Sequence, residues 1–584
     1  MSSPLRRSHL RMLVFCLGVV ALAAFAPVCT HAQTRAVEPC PRPAIGSAVS
    51  QPADLRSENG VLKADLIYRD YVDAAGHTRF CYLSQDGSQA PTLRVNPGDL
   101  LILSLKNELS APIQPGVSMA MTPSATPASD ACASGEMTSS STNLHFHGLT
   151  VPPVCHADDV LKTWIQPGDP PFEYRFQIPP DQPPGLYWYH PHVHGFTKVQ
   201  VLGGASGALI VEGIERANRD LAGLPERVLV IRDQDLLNPN AQPAKNDSAI
   251  APPVILDSEG DVMNTGTGTG KPAKDLSINY VPVPYPDYAP ALIQMKPSAK
   301  EFWRVLNASA ITYLNLEVSY KGTIQPLGVV ALDGAPINEN GVTSGRVIWQ
   351  KHVGVPPGGR IEFTLKAPPE GVTGSLITLS VNTGTGGEND PIRPLANIAA
   401  TDQAPEPASK LSSNPSPLPP PTSVWLGDVK PSRTRKLFFS ETLQDPSDPN
   451  SPTTFYLTVD GETPKVFDPH SAIPNIIVQQ GDVEDWIIEN RSQELHAFHI
   501  HQIHFMVLQW FGLPVNEPYL RDTVNVPFWD GKAKVYPMVK LRMDFRDPNA
   551  VGTFVYHCHL LEHEDGGMMG LVQVEPRKQE PGAK

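Results

Sequence analysis

Apolar and polar residues alternate in short runs along most of this chain, and the runs come in pairs separated by turn residues. Leu93 to Ser110 reads LRVNPGDLLILSLKNELS: an apolar run, a Gly-Asp turn, a second run and then an asparagine. Ile476 to Gln493, IIVQQGDVEDWIIENRSQ, repeats the plan, and Ile293 to Ala310, IQMKPSAKEFWRVLNASA, echoes it more weakly. A period of two marks a strand with one buried face, so each segment predicts two strands around a turn. The later halves match as well. Phe172 to His190 runs from FEYRFQIP through a Pro-Gly turn into LYWYH, and Val539 to His557 runs from VKLRMDFRDP through a Gly552 turn into FVYH. Between them, Val355-Pro356-Pro357-Gly358-Gly359-Arg360 leads into IEFTLKAP, and no histidine cluster follows. The pattern predicts three related β units, with the first and last ending in strands that deliver histidines.

Composition supports that reading. The 62 prolines are about twice the usual ~5% and disfavour long helices. At about 150 residues per domain, 584 residues allow three or four domains. The units are placed at 59–213, 222–401 and 424–576. A Pro/Ser-rich stretch at 402–423 reads as an extended linker, and Met119 to Thr142 reads as a loop inserted in the first unit.

Residues 1–32 read as an export signal. Arg6, Arg7 and Arg11 precede an apolar run from Met12 to Ala26, and Thr30-His31-Ala32 offers a cleavage site. The arginine pair resembles a twin-arginine signal, with His9 where an apolar residue is usual. The run is too short for a comfortable membrane span, and no later segment resembles one. The mature chain is therefore expected to be periplasmic or secreted, monomeric and without a membrane anchor. Losing three arginines and no acids moves its formal charge from -14 to -17, which leaves no electrostatic case for binding nucleic acid. Cys16 and Cys29 leave with the signal. Cys40, Cys81, Cys132 and Cys155 then form an even set that implies two disulfides in an oxidising compartment, with three possible connectivities.

The seventh cysteine, Cys558, lies in YHCHLLEHEDGGMM, and the histidines around it carry the chemistry. Four His-x-His pairs occur: His145/His147, His190/His192, His499/His501 and His557/His559. On a strand, alternate side chains share a face, so each pair aims two imidazoles in one direction. Cys558 must then face away from its neighbours and serve a different site. A cysteine with two histidines and a weak axial methionine is a blue-copper ligand set. His563, Met568 and His496 are at hand to complete it. A structural zinc site needs four ligands and does not account for twelve. From Gly195 to Pro469 the only histidine is His352, so the middle unit reads as a spacer.

LHFHG, WYHPHVHG, HAFHIH and HCHLLEHEDGGMM together resemble the multicopper oxidases over essentially the whole mature chain. The resemblance implies an all-β protein of three cupredoxin-like Greek-key β-sandwich domains and four copper ions per chain. His496, Cys558, His563 and axial Met568 would hold the type 1 copper. His145 and His499 would hold the type 2 copper. For the type 3 pair, His147, His190 and His559 would hold one ion, and His192, His501 and His557 the other. Ala497 and Gln502 depart from the family pattern, which usually has proline and glycine there, and only a change of loop geometry is expected from them. His194 and His504 are expected beside the ligands or facing solvent, and Met569 in packing.

The resemblance further implies one-electron oxidation of a small reducing substrate at the edge of His563, with Cys558 linked through His557 and His559 to the cluster that reduces dioxygen to water. Asp158 and Asp159, with Glu564 as a further candidate, would deliver protons. Phenols or aromatic amines are the first expectation for the donor. A cuprous oxidase is the alternative, although the mature chain has only ten methionines; Glu494, two residues before His496, is its nearest acidic candidate. A copper-storage protein would not need the His-Cys-His arrangement, and a cell-division scaffold derived from this fold would have lost ligands.

Overall fold

A computed structural model describes residues 38–110, 131–132, 137–241, 254–337, 346–417, 423–448, 451–471 and 473–577. The signal at 1–32 and most of the loop at 119–142 lie outside these residues. The described chain is nearly all strand, arranged in six sheets that pair along the sequence into three sandwiches.

The three repeated segments occupy the same place in each sandwich. Leu100–Asn107 runs parallel to Val61–Val72 and antiparallel to Phe172–Gln177. Lys300–Asn307 runs parallel to Pro225–Gln234 and antiparallel to Arg360–Lys366. Val483–Asn490 repeats this between Arg433–Leu443 and Met538–Asp544. The strand before each turn joins the opposite sheet, where Thr92–Val95, Ala291–Met295 and Ile476–Gln479 pair in parallel with the sandwich's last long strand. Alternation in sequence becomes alternation in burial: Phe172, Tyr174 and Phe176 are buried while Glu173, Arg175 and Gln177 are exposed. Each sandwich closes over its own apolar core, centred on Leu103 and Phe146, on Trp303 and Phe363, and on Trp486 and Leu541.

The four cysteines pair as Cys40–Cys81 and Cys132–Cys155. Cys40–Cys81 ties the start of the described chain to strand Thr78–Ser84. The described part of the stretch at 402–423 is less free than its composition suggests. Ser409–Lys410 pairs with Pro225–Glu226, Leu411 is buried, and the Ser409 hydroxyl meets both Arg56 and Asp54. Two apolar positions, Ala404 and Leu411, give an otherwise polar strap something to bury.

Charge joins the first two sandwiches. Arg304, fully buried, bonds both Glu226 and Glu362; Glu226 also meets Arg94 at 3.0 Å, and Glu362 accepts the Leu186 amide at 3.0 Å. Removing one partner from such a set strands the others without solvent. Arg304→Met should therefore lower unfolding stability by about 3–5 kcal/mol. A loss in a denaturant titration no larger than an exposed ion pair gives, under about 1 kcal/mol, would contradict that.

Candidate metal centre

The histidine strands are brought together by two antiparallel pairings. In the first sandwich His145–His147 pairs with Gly185–His190, and His145 lies opposite His190. In the third, His496–Ile500 pairs with Gly552–Cys558, so that His499 lies opposite His557 and Phe498 opposite Cys558. The first sheet's histidines meet the third sheet's across the junction between the sandwiches. The rings of His145 and His501 stack at 3.7 Å, and those of His147 and His499 at 3.9 Å. His192 and His501 bring their Nε2 atoms to 3.4 and 3.3 Å from His557 Nε2.

All eight cluster imidazoles are buried. Burial, reinforced by crowding among the rings, pushes His147, His190, His192, His499, His501 and His559 well below the usual histidine range, and burial lowers His557 to about 3. They are neutral rings with lone pairs. Four have the tautomer set from behind, because Nδ1 donates outward: His145 to Asp158 at 3.0 Å, His190 to Pro191 O at 2.9 Å, His499 to Asp522 O at 2.8 Å and His557 to Cys558 O at 2.8 Å. The inward Nε2 atoms of His145, His147, His190, His499 and His559 have no hydrogen-bond partner. In His145, His190 and His499, whose Nδ1 carries the proton, the orphaned Nε2 is a convergent lone pair that fits a metal ion, whereas Arg360 donates to His147 Nδ1.

Cys558 faces the other way, into the core of the third sandwich beside Met568. Its Sγ lies 3.6 Å from both His496 Nδ1 and His563 Nδ1, which are 3.2 Å from each other. A point equidistant from the three lies about 2 Å from each, the length of an imidazole–metal bond. Carboxyl groups stand behind these two rings. His496 Nε2 is 3.0 Å from Glu441 and 2.8 Å from Ser492 Oγ, and His563 Nε2 is 3.3 Å from Glu494. Met568 closes the turn, its amide donating to His563 O at 2.7 Å and its carbonyl accepting from Cys558 N at 3.1 Å. Met569 points instead into a small cluster with Val160, Val555 and Leu571.

The other candidates separate. Asp158 is buried against His145 and accepts the Phe146 amide, whereas the Asp159 carboxylate accepts from Lys162 N in the following turn. Glu564 is buried with its carboxylate 3.5 Å from His192 and 3.4 Å from His557, and burial raises it well above the usual carboxyl range. His194 packs edge-on against Phe467, and His504 Nε2 meets Asp333 O at 3.1 Å. Gln502 does more than reshape a loop. From a left-handed backbone, with φ of 57°, its amide donates to Asp158 at 2.5 Å.

Several neighbours carried no signal in the sequence. Asp522, fully buried, binds Arg360 at 2.7 and 2.6 Å, and Arg360 Nη1 reaches His147 Nδ1 at 3.1 Å. Arg360 comes from the middle sandwich, whose lack of histidines suggested a spacer. Gly148, in LHFHG, leaves the room: a Cβ there would meet Arg360 and Asp522 at 2.4 and 2.6 Å. Over His563 opens a cavity of about 940 Å³, lined by Glu388, Glu441, Glu494 and Glu562 with Met263, Phe455 and Trp529. Burial and then Glu441 raise Glu494; burial and then Glu494 raise Glu388.

Two family models described as multicopper oxidase match residues 136–216 and 445–578. A multicopper oxidase of Staphylococcus haemolyticus is 26% identical over 443 residues, covering 74% of this chain and 76% of that protein. A laccase of Bacillus subtilis is 23% identical over 469 residues, covering 75% and 80%. Among solved structures, a multicopper oxidase from Campylobacter jejuni described as a metallo-oxidase superposes with a TM-score of 0.61 at 22% identity, covering 91% of this chain and 96% of that one. A laccase-like enzyme from Ochrobactrum gives 0.57 at 19%, covering 90% and 100%. At these identities the superpositions establish the shared cupredoxin fold.

Burial makes a direct prediction for the metal-free protein. The lowered values keep His147, His190, His192, His499, His501, His557 and His559 neutral, so none of these seven should take up a proton between about pH 8 and pH 5, a window that spans the ordinary histidine pKa. Imidazole resonances followed by NMR should stay flat over that range. Any of these seven rings titrating near the ordinary value would contradict the geometry.

Proposed function

We infer that this chain, which belongs to the multicopper oxidase family and is an oxygen-dependent oxidase, takes its electrons from a small reduced metal cation at the edge of His563. Four copper ions would complete it, a type 1 ion at His496, Cys558, His563 and Met568 and three others among the eight cluster histidines. When bound they supply one-electron storage and the reduction of dioxygen to water. The chain's own residues do the rest. Cys558 is covalently joined to His557 and His559, and His557 Nδ1 donates to Cys558 O, so the two sites share one short stretch of backbone. Asp158 stands against His145, and Glu564, which burial keeps protonated, beside His192 and His557, where the two carboxyl groups would deliver protons. Two disulfides and the signal pattern support export to the periplasm or beyond. The sandwiches are taken as domains at 59–213, 222–401 and 424–576.

The observation that favours a cation is the cavity over His563. Glu388, Glu441, Glu494 and Glu562 line the approach, and Glu494 touches the imidazole itself. Carboxylates attract and hold hard cations, and with Met263 as the one thioether in the lining, iron(II) suits the site better than copper(I). Phenols or aromatic amines are the second reading, favoured by the Phe455 ring stacked on His563 at 4.2 Å and by Trp529 in the wall. Relatives described as laccases and a neighbour described as a metallo-oxidase stand on the two sides.

Glu494→Gln separates the readings. Under the cation reading it should raise the KM for iron(II) or copper(I) about tenfold or more, because a carboxyl group that faces the donor and can give up its proton to a cation is replaced by an amide that cannot. Phenol oxidation by the same protein should change much less. Equal effects on both donors, or efficient phenol turnover with no metal-ion oxidation, would return the aromatic reading.

A further inference from the structure

The middle sandwich supplies no copper ligand, yet it stands directly behind one set of three histidines. Arg360 donates through Nε to Leu186 O at 3.1 Å, grips Asp522 with both Nη atoms, and places Nη1 against His147. Its own amide is held by Asp333 at 2.9 Å. Gly358, two residues earlier, lies flat on His559, where a Cβ would meet the ring at 2.7 Å. The third contact is indirect. Trp188 stacks on His190 at 4.1 Å, with His147 at 5.1 Å and His559 at 5.8 Å. Its other neighbours are Val228, Val230, Leu306 and Ala308 of the middle sandwich, which share one buried cluster with Leu186, Ala208 and Ile210 of the first. His192 and His557, by contrast, face Glu564 of the third sandwich.

We propose that the middle sandwich is the positioning frame for the type 3 ion held by His147, His190 and His559, with Arg360 fixing the first ring, Gly358 the third, and the wall behind Trp188 the second. The proposal rests on the four-copper reading above. Gly358 also gives the stretch Pro-Pro-Gly-Gly-Arg a role: it leads into Arg360–Lys366, the counterpart of Phe172–Gln177 and Met538–Asp544, and its small residues let the backbone approach a ring supplied by another sandwich. The frame acts on the geometry of the rings and touches neither donor nor dioxygen.

Copper content and magnetic coupling, measured on purified, copper-loaded and dialysed protein, test this without reference to turnover. Gly358→Ala should lose at least one of the four coppers and the coupled signature of the type 3 pair, while the blue colour of the mononuclear site stays. Gly371→Ala is the control. Gly371 has a similar left-handed φ of 70°, against 79° at Gly358, but open space where a Cβ would go, so it carries the backbone strain without the ring contact. It should keep all four coppers. Arg360→Met with Asp522→Asn removes both members of the closest ion pair together, and Asp333, 3.8 Å from Arg360, keeps its bond to the residue 360 amide. That double variant should fold, stay blue and load like Gly358→Ala. If Gly358→Ala and the double variant hold four coupled coppers as the unaltered chain does, the frame is overturned. If Gly371→Ala loses copper equally, backbone strain explains the effect and the frame is likewise overturned. An unaltered chain that holds fewer than four would instead defeat the reading on which the proposal rests.

Discussion

The pairing of His496–Ile500 with Gly552–Cys558 is the constraint on which the rest of the site depends. A strand can offer alternate residues only to opposite faces. With His499 fixed opposite His557, and Phe498 opposite Cys558, the thiol has to enter the sandwich core and the imidazoles have to leave it. A slip of one residue would exchange the two faces and place the thiol in the cluster. The register is held by burial on both sides: Phe498 and Tyr556 on the core side, and neutral histidines, which lose solvent without a compensating proton, on the other.

Neutrality in turn demands a surrounding shell. Where a buried ring has one nitrogen satisfied from behind, the other is free to face inward, and the chain uses whatever lies there. Backbone carbonyls serve His190, His499 and His557, a carboxylate serves His145, and Glu441 and Glu494 serve the two histidines beside Cys558. The two sites differ in what lies beyond. The cluster is sealed between sandwiches, whereas His563 opens onto an acidic cavity. One site is closed to solvent, and the other lies beneath an open cavity.

The sequence carried the strand pattern, the threefold repeat and the histidine pairs because each is local: period two, a Gly-Asp turn and His-x-His are all visible within twenty residues. What it did not carry comes from elsewhere in space. Arg360 lies 213 residues from the histidine it touches, Asp522 sits in an ordinary stretch before a short strand, and Glu441 and Glu388 reach the cavity from separate loops and strands. No periodicity marks a residue whose role is set by another sandwich. Asp158 and Asp159 make the same point at closer range, since neighbours with equal chemistry in sequence face different partners once the turn is folded. Gln502 was visible as a departure from the family pattern, but its bond to Asp158 depends on a left-handed backbone that the residue type disfavours.

The central claim is that one backbone segment serves two separable sites, and Cys558→Ser tests it most directly. Copper content, optical absorption and donor oxidation would be measured on the same loaded sample. The account predicts loss of the blue absorption and of turnover with copper retained at the cluster, because the eight histidines keep their positions when Sγ is replaced. Loss of all copper together, or turnover that survives without the thiolate, would contradict it.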